Sequence, residues 1–312
     1  MEPVVRFEAV DKEYRRQRVL RGVSFHVEPG EVYCLLGPNG AGKTTILNIA
    51  SCQILASSGT VRILGKDPVH HASWILGQIG IVTASGRGLW WRLNGEENLM
   101  RHALLHHLDT RWARKRVQDL LEAFGLTDHA KKLVGVYSVG MRARLSLARA
   151  LVHDPRLLIL DEPWSGLDPH GQLELIALIR NIASRPGKSV LIASHHLPQV
   201  QEVADRVGII AQGRILVEGR PVELLGLLPF AYAVRVGATA GEARRQGMPA
   251  VEEKFSDISS ALRRAEDILR EGVQEVEVRH RRLEDVYFHL QGTGEARPLD
   301  SAGRDDGGRG SR

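Results

Sequence analysis

The sequence predicts an α/β fold organised around a mostly parallel sheet, and three observations carry that prediction. Five short apolar runs, 32–37, 79–82, 157–161, 189–194 and 207–211, have the length and uniform hydrophobicity of strands buried on both faces. Helical patterns fall between them, at 96–107, 111–124, 140–152, 170–184 and 198–204. A glycine-rich stretch, GPNGAGKTT, follows the first run and leads straight into a helical segment.

In chain order, VVRFEA (4–9) and VLRGVSFHV (19–27) alternate like strands of a half-exposed antiparallel sheet, which makes the whole sheet system mixed. EPGE (28–31) is a turn, VYCLLG (32–37) a buried strand, and TTILNIASCQIL (44–55) the helix after the glycine-rich loop. The region from about 86 to 150 is almost purely helical and reads as a lobe beside the sheet. Together these form one domain over 1–226. Residues 227–291 read as a small α+β appendage: strand AYAVRVG, capped helix 256–272, strand VQEVEVRHR and a short final helix. Residues 292–312 are rich in Gly and charge and predict a disordered tail. No internal repeat is visible.

A chain of 312 residues that is 43% hydrophobic and 25% charged can bury a sizeable core. Forty-two Lys and Arg against 37 Asp and Glu give a net charge of +5, spread along helices rather than gathered in runs, so a nucleic-acid partner is not expected. Cys34 and Cys52 read as packed thiols, not a bridge. No targeting segment and no window near the roughly 18 apolar residues of a membrane span is present, so a soluble or peripheral protein is expected.

The loop Gly37, Pro38, Asn39, Gly40, Ala41, Gly42, Lys43, Thr44 and Thr45 fits G-x-x-x-x-G-K-[ST] between strand and helix. Its glycines let successive N–H groups converge on phosphate oxygens, Lys43 adds a point charge, and the Thr44 hydroxyl can reach Mg²⁺. LLILDEP (157–163) is an apolar strand ending in two acids. Asp161 is suited to hold Mg²⁺, and Glu162, turned away by strand alternation, to polarise an attacking water. His195, after the next strand, should reach the same sheet edge. His102, His106 and His107 show helical spacing but no HExxH pattern, and read as ordinary packing or surface groups, as does His196. YSVGM (137–141) opens a helix with a hydroxyl and a glycine but no lysine or acid. It can serve a phosphate only if a second chain supplies the rest, in a head-to-tail dimer with two equivalent sites.

Over residues 3–225 the chain resembles the ATP-binding subunit of an ABC transporter, a P-loop NTPase with an antiparallel β subdomain and a helical lobe. Gly37–Thr45 is similar to Walker A, Leu157–Asp161 to Walker B, Ser138 and Gly140 to the signature motif, SGLD ending at Asp168 to the D-loop, and His195 to the switch histidine. The resemblance makes Glu162 the catalytic glutamate and Tyr14 the aromatic that stacks on adenine. The YS-x-GM form and the ending RRLEDVYFHLQG resemble drug-resistance exporters. The resemblance implies an ATPase that uses ATP and Mg²⁺ and pairs with itself or a paralogue. Such a subunit would bind a separate transmembrane permease from the cytoplasmic face of the cell membrane and drive export.

Two departures stand out. Tyr137, Val139 and Met141 replace the commoner Leu, Gly and Gln of the signature. After IGIV the resemblance leads one to expect a metal-touching glutamine, yet Thr83, Ala84 and Ser85 occupy the region and Gln78 precedes the strand. That substitution keeps an ATP-gated module with weak turnover as an alternative. A non-transport ATPase acting on nucleic acid or ribosomes is a second. Trp90 and Trp91, adjacent in a loop, form either a small local core or the landing patch for the membrane subunit.

Overall fold

The computed structural model describes residues 2–15, 17–83, 88–236, 251–271 and 276–293. The chain divides into two units, one ending at Gly219 and one starting at Arg220.

In the first unit, β3 (Val32–Leu36), β5 (Ile79–Val82), β6 (Leu157–Asp161), β7 (Ser189–Ser194), β8 (Arg206–Ala211) and β9 (Arg214–Gly219) form one sheet in the order β5-β6-β7-β3-β8-β9. All neighbours are parallel except β8 and β9, which pair antiparallel across a tight turn. The five parallel strands are those the apolar runs predict, and β3 and β7 are buried at every position. The register places Leu36 beside Ser194 and Asp161 beside Ala193. The loops leaving β3, β6 and β7 therefore open at one edge of the sheet, as parallel strands require.

A second, antiparallel sheet has the order β2-β1-β4, from β1 (Val5–Tyr14), β2 (Gln17–Val27) and β4 (Ser58–Ile63). Phe7 and Phe25 stack across it, and Phe25 stacks on Tyr33 of β3, so one apolar core joins both sheets.

Helix α1 (Lys43–Ala50) follows the glycine-rich loop and stops earlier than the pattern 44–55 suggests. Its end has a local cause. Cys52 takes a left-handed φ of 57°, the Ser51 hydroxyl donates to Leu47 O, and Gln53 N and Ile54 N both donate to Asn48 O. Helix α2 (Pro68–Leu76), capped by Asp67, and β4 are elements the sequence reading lacks. The lobe comprises α3 (Gly95–Leu105), with an Asn94/Glu97 capping box, α4 (Thr110–Ala123) and α5 (Val139–Ala150). Helices α6 (Pro169–Ala183) and α7 (Leu197–Val203) follow β6 and β7. No described helix is long and apolar enough to cross a membrane. Cys34 and Cys52 are both free thiols.

The second unit holds α8 (Pro221–Leu225), a sheet of order β11-β10-β12 from β10 (Tyr232–Val236), β11 (Val251–Phe255) and β12 (Val276–His280), and helices α9 (Ile258–Arg270) and α10 (Leu283–Thr293). Val234, Ala261, Ala265 and Ile268 form its apolar core. Helix α10 runs to Thr293, so the first two residues of the predicted tail are helical; 294–312 lie outside the described residues.

Candidate functional site

The glycine-rich loop is fixed from behind by two strands. Gly37 N donates to Ser194 O, and a Cβ on Gly37 would lie 2.2 Å from the Ile210 carbonyl oxygen, so only glycine fits there. Gly42 caps α1 with φ of 108°, a conformation that L side chains avoid. The first helical bond of α1 runs from Ile46 N to Gly42 O, which leaves the N–H groups of Lys43, Thr44 and Thr45 without intrahelical acceptors. The Lys43 ammonium curls back into the loop and donates to Gly37 O (2.7 Å) and Pro38 O (3.1 Å).

Asp161 ends β6, and Thr44 Oγ1 donates to its Oδ2 over 3.2 Å. Burial pushes the Asp161 carboxyl above its ordinary range, against the lowering effect of the Thr44 hydrogen bond. Burial also lowers the Lys43 pKa, opposed by the Glu162 and Asp161 carboxylates.

Glu162 leaves the strand by a different route from simple alternation. Its φ of 47° is left-handed, and its N–H donates to Ala193 O. A non-glycine residue in this region carries strain of about 1–3 kcal/mol. The turn sets the Glu162 carboxylate 3.7 Å from Lys43 Nζ and 2.7 Å from His195 Nδ1. A carboxylate only accepts, so His195 Nδ1 carries the hydrogen. Two further residues escaped sequence reasoning. The Ser194 hydroxyl donates to Glu162 Oε2 (3.1 Å) and accepts from the fully buried Trp164 indole N–H (2.9 Å) and from His196 N. Trp164 lies within DEPWSGLD, but its link to Ser194 depends on strand register, which no local pattern reveals.

The residues of the glycine-rich loop, Asp161, Glu162 and His195 thus converge at one sheet edge. The donor set fits a polyphosphate with Mg²⁺: free N–H groups and an ammonium for anionic oxygens, a hydroxyl and a carboxylate for a hard cation. Tyr14 sits at the β1–β2 hairpin tip, half-exposed, with Lys12 Nζ 4.9 Å from its ring centre. The same β2 strand brings Leu20 against Gly42.

The helix start at 137–141 is built differently. Ser138 Oγ accepts from Met141 N, so its hydroxyl caps its own helix. Among the described residues no hydrogen bond links Ser138 to the glycine-rich loop. Tyr137 is buried, donates to His129 O, and would clash with a Cβ on Gly95. Asp168 caps α6 by accepting from Gly171 N. A cleft of about 460 Å³ brings Thr83, Trp91, Val139 and Arg142 together with Glu162, Ser165 and Gly166. Trp91 is exposed with the Arg142 guanidinium over its ring, while Trp90 is half-buried and its backbone is tied at both N–H and C=O to the Asn98 side chain. Thr83 follows β5, level with Asp161 of β6; Gln78 lies at the opposite end of the strand, where its N–H donates to Ile75 O and its carbonyl accepts from Arg156 N and Leu157 N. Ala84 and Ser85 lie outside the described residues.

Residues 20–165 match the ABC transporter family. The chain is 33% identical over 302 residues to the daunorubicin resistance ATP-binding protein DrrA3 of Streptomyces coeruleorubidus, covering 91% of this chain and 95% of that one. It is 37% identical over 218 residues to the bacitracin transport ATP-binding protein BcrA of Bacillus licheniformis, 70% of each chain. Among solved structures, cbiO1 from Clostridium perfringens, part of the ABC transporter complex cbiONQ, aligns with a TM-score of 0.68 and 27% identity over 73% of this chain and 92% of that one. With a glycine-rich loop and two carboxylates gathered at one sheet edge, and with one relative matched almost end to end, this chain belongs to the ABC transporter family as one of its ATP-binding, ATP-hydrolysing subunits.

Proposed function

We propose that two copies of this chain pair head-to-tail around two ATP and that their hydrolysis drives export through a separate membrane-spanning subunit, with the chain peripheral on the cytoplasmic face. The observation that carries the reading is the Glu162 carboxylate, fixed between Lys43 and His195 one residue beyond the Thr44–Asp161 pair. The relatives named for daunorubicin resistance and bacitracin transport favour export. Lys43 and the N–H groups that open α1 bind the phosphates. Thr44 and Asp161 hold Mg²⁺, which when bound supplies positive charge to the phosphate oxygens. Glu162 accepts a proton from the attacking water, and His195 and Ser194 hold its carboxylate in place. Tyr14 stacks on adenine.

The start of α5 and the loop before α6 serve the partner's nucleotide. Gly140 supports this assignment: a Cβ there meets nothing of its own chain closer than 3.9 Å, so the fold itself leaves room for a side chain. Exposed Trp91 is the landing point for the membrane subunit. The test is phosphate release by the subunit reconstituted with its membrane partner. Wild type should exceed Lys43→Ala by at least about 100-fold, and Glu162→Gln should trap an ATP-dependent dimer on size exclusion. Turnover equal to the Lys43→Ala background, or an absent dimer, overturns the proposal.

A further inference from the structure

The sequence shows His102 and His106 one turn apart, and the fold supplies a third ring. His102 lies in the last turn of α3 and His106 caps its C-terminus one turn on, and His153 comes from the loop between α5 and β6. Each of the three offers a nitrogen within 4.8 Å of those of the other two. The His106 and His153 rings stack at 3.7 Å, and His102 meets them edge-on at 4.7 and 5.8 Å. His107, which the sequence groups with the pair, is exposed with φ of 55° and takes no part.

The arrangement of His153 points to a ligand. Its Nε2 lies 2.9 Å from Ile79 O, and a carbonyl only accepts, so Nε2 carries the hydrogen. In the neutral ring this leaves Nδ1 as a bare lone pair, and Nδ1 is buried with no hydrogen-bond partner. An imidazole that donates one N–H to a backbone carbonyl while its other nitrogen faces a cluster of imidazoles is the usual support of a metal-ligating histidine. Burial holds His102 down to about 3 and His153 to about 4, and also lowers His106, so all three are neutral near pH 7, the form that binds metal.

We propose that His102, His106 and His153 form a binding site for a divalent late transition-metal ion, Zn²⁺ in the first instance. Three imidazoles with no thiolate or carboxylate suit Zn²⁺, Ni²⁺ or Cu²⁺ over Mg²⁺ or Ca²⁺. All three rings are half-buried, so solvent can fill a remaining coordination position. Ligation at Zn–N distances of about 2.0–2.1 Å draws the nitrogens closer and needs one stacked ring to turn about its soft χ2. The charges around the site are mixed: Arg149 acts on His102, and Asp154 and Lys188 act on His153 with opposite signs. A bound ion ties α3 of the helical lobe to the segment that enters β6, the strand carrying Asp161.

The test uses the full chain without a histidine tag, stripped with EDTA and free of nucleotide, titrated with Zn²⁺ against a chromophoric chelator. One Zn²⁺ per chain is expected. His106→Gln, which alters a half-exposed ring, should weaken binding at least about 10-fold, and the His102→Ala/His106→Ala pair about 100-fold. His195→Ala controls for the Glu162, His195 and His196 cluster, the other group of potential ligands among the described residues, and should leave the affinity unchanged. Co²⁺ substitution in wild type should give a visible absorption band that the double variant lacks. Equal Zn²⁺ affinity in wild type and His106→Gln, or a loss that follows His195→Ala instead, overturns the proposal.

Discussion

Two groups of charged residues in this chain obey opposite rules. In the first unit, Asp161 at the end of β6 and Lys43 at the start of α1 are both held toward their neutral forms, chiefly by burial. In the second unit, Arg279 donates to Asp285 at 2.8 Å and to Glu252 at 3.1 Å, and Arg282 N donates to Asp285 at 2.7 Å. Burial alone would raise the Asp285 pKa, yet these bonds outweigh it and lower it, while the hydrogen bonds to Asp285 raise Arg279. Groups that ionise more readily folded than unfolded stabilise the fold. Asp161 and Lys43 ionise less readily folded than unfolded, and their burial lies at the candidate site.

The most forceful way to break this contrast is at Glu162. Glu162→Gln keeps the Ser194 and Lys43 neighbourhood but removes the proposed proton acceptor, so ATP turnover should fall by about 10²–10⁴-fold with the melting temperature nearly unchanged. A large loss of stability would place Glu162 with the structural charges. Arg279→Ala makes the reverse case. It leaves Asp285, nearly buried, without its cation, and should destabilise the second unit by about 3 kcal/mol. Hydrogen exchange at β10 and α9 reads that loss directly, and unchanged protection there would remove the network from the stabilising side.

A smaller effect, of the opposite sign, is expected at Asp161. Its folded pKa is raised, so the folded chain keeps this proton to higher pH than the unfolded chain does. Stability from this group is therefore greatest below the unfolded value near about 3.9 and declines as pH rises through the folded one. Asp161→Asn retains an acceptor for Thr44 and removes the buried charge, so Tm at pH 7 should rise by about 2 °C while turnover is lost. Asp285 runs the other way: its contribution is present above the unfolded value and lost as pH falls through the lowered folded one. Acid titration of Asp161→Asn and of an Asp285→Asn variant against wild type should show slopes of opposite sign.

Much of the fold and site was legible because the signals are local. The apolar runs, the glycine-rich loop with Lys43 and Thr44, and the acids at 161 and 162 each occupy a few consecutive residues. The elements and contacts that sequence reasoning missed depend on distant partners. SGTVRI has buried side chains at only two of its six positions and becomes β4 by pairing with β1 some fifty residues earlier. VEEKF becomes β11 against β10. Ser194 joins Glu162 and Trp164 through the β6–β7 register, and His153 joins His102 and His106 across the lobe. Strand alternation does not account for the aim of Glu162 either: a left-handed turn sends its carboxylate toward His195.

The finest test concerns Gly140, which belongs to neither group of charges. It lies in the first turn of α5, where glycine weakens a helix relative to alanine by less than the roughly 1 kcal/mol of a helix interior. Its own chain has space for the missing methyl, since the nearest atoms to a Cβ are Ser138 Oγ at 3.9 Å and Leu167 Cδ2 at 4.0 Å. Gly140→Ala should therefore raise the stability of the isolated subunit by up to about 0.5 kcal/mol, seen as a small shift of the urea midpoint. Turnover should nonetheless fall, because a phosphate and its loop from a second copy approach this backbone in the proposed dimer. Greater stability with undiminished ATP turnover would mean that nothing packs against Gly140, and the shared-site reading would lose its support at this residue.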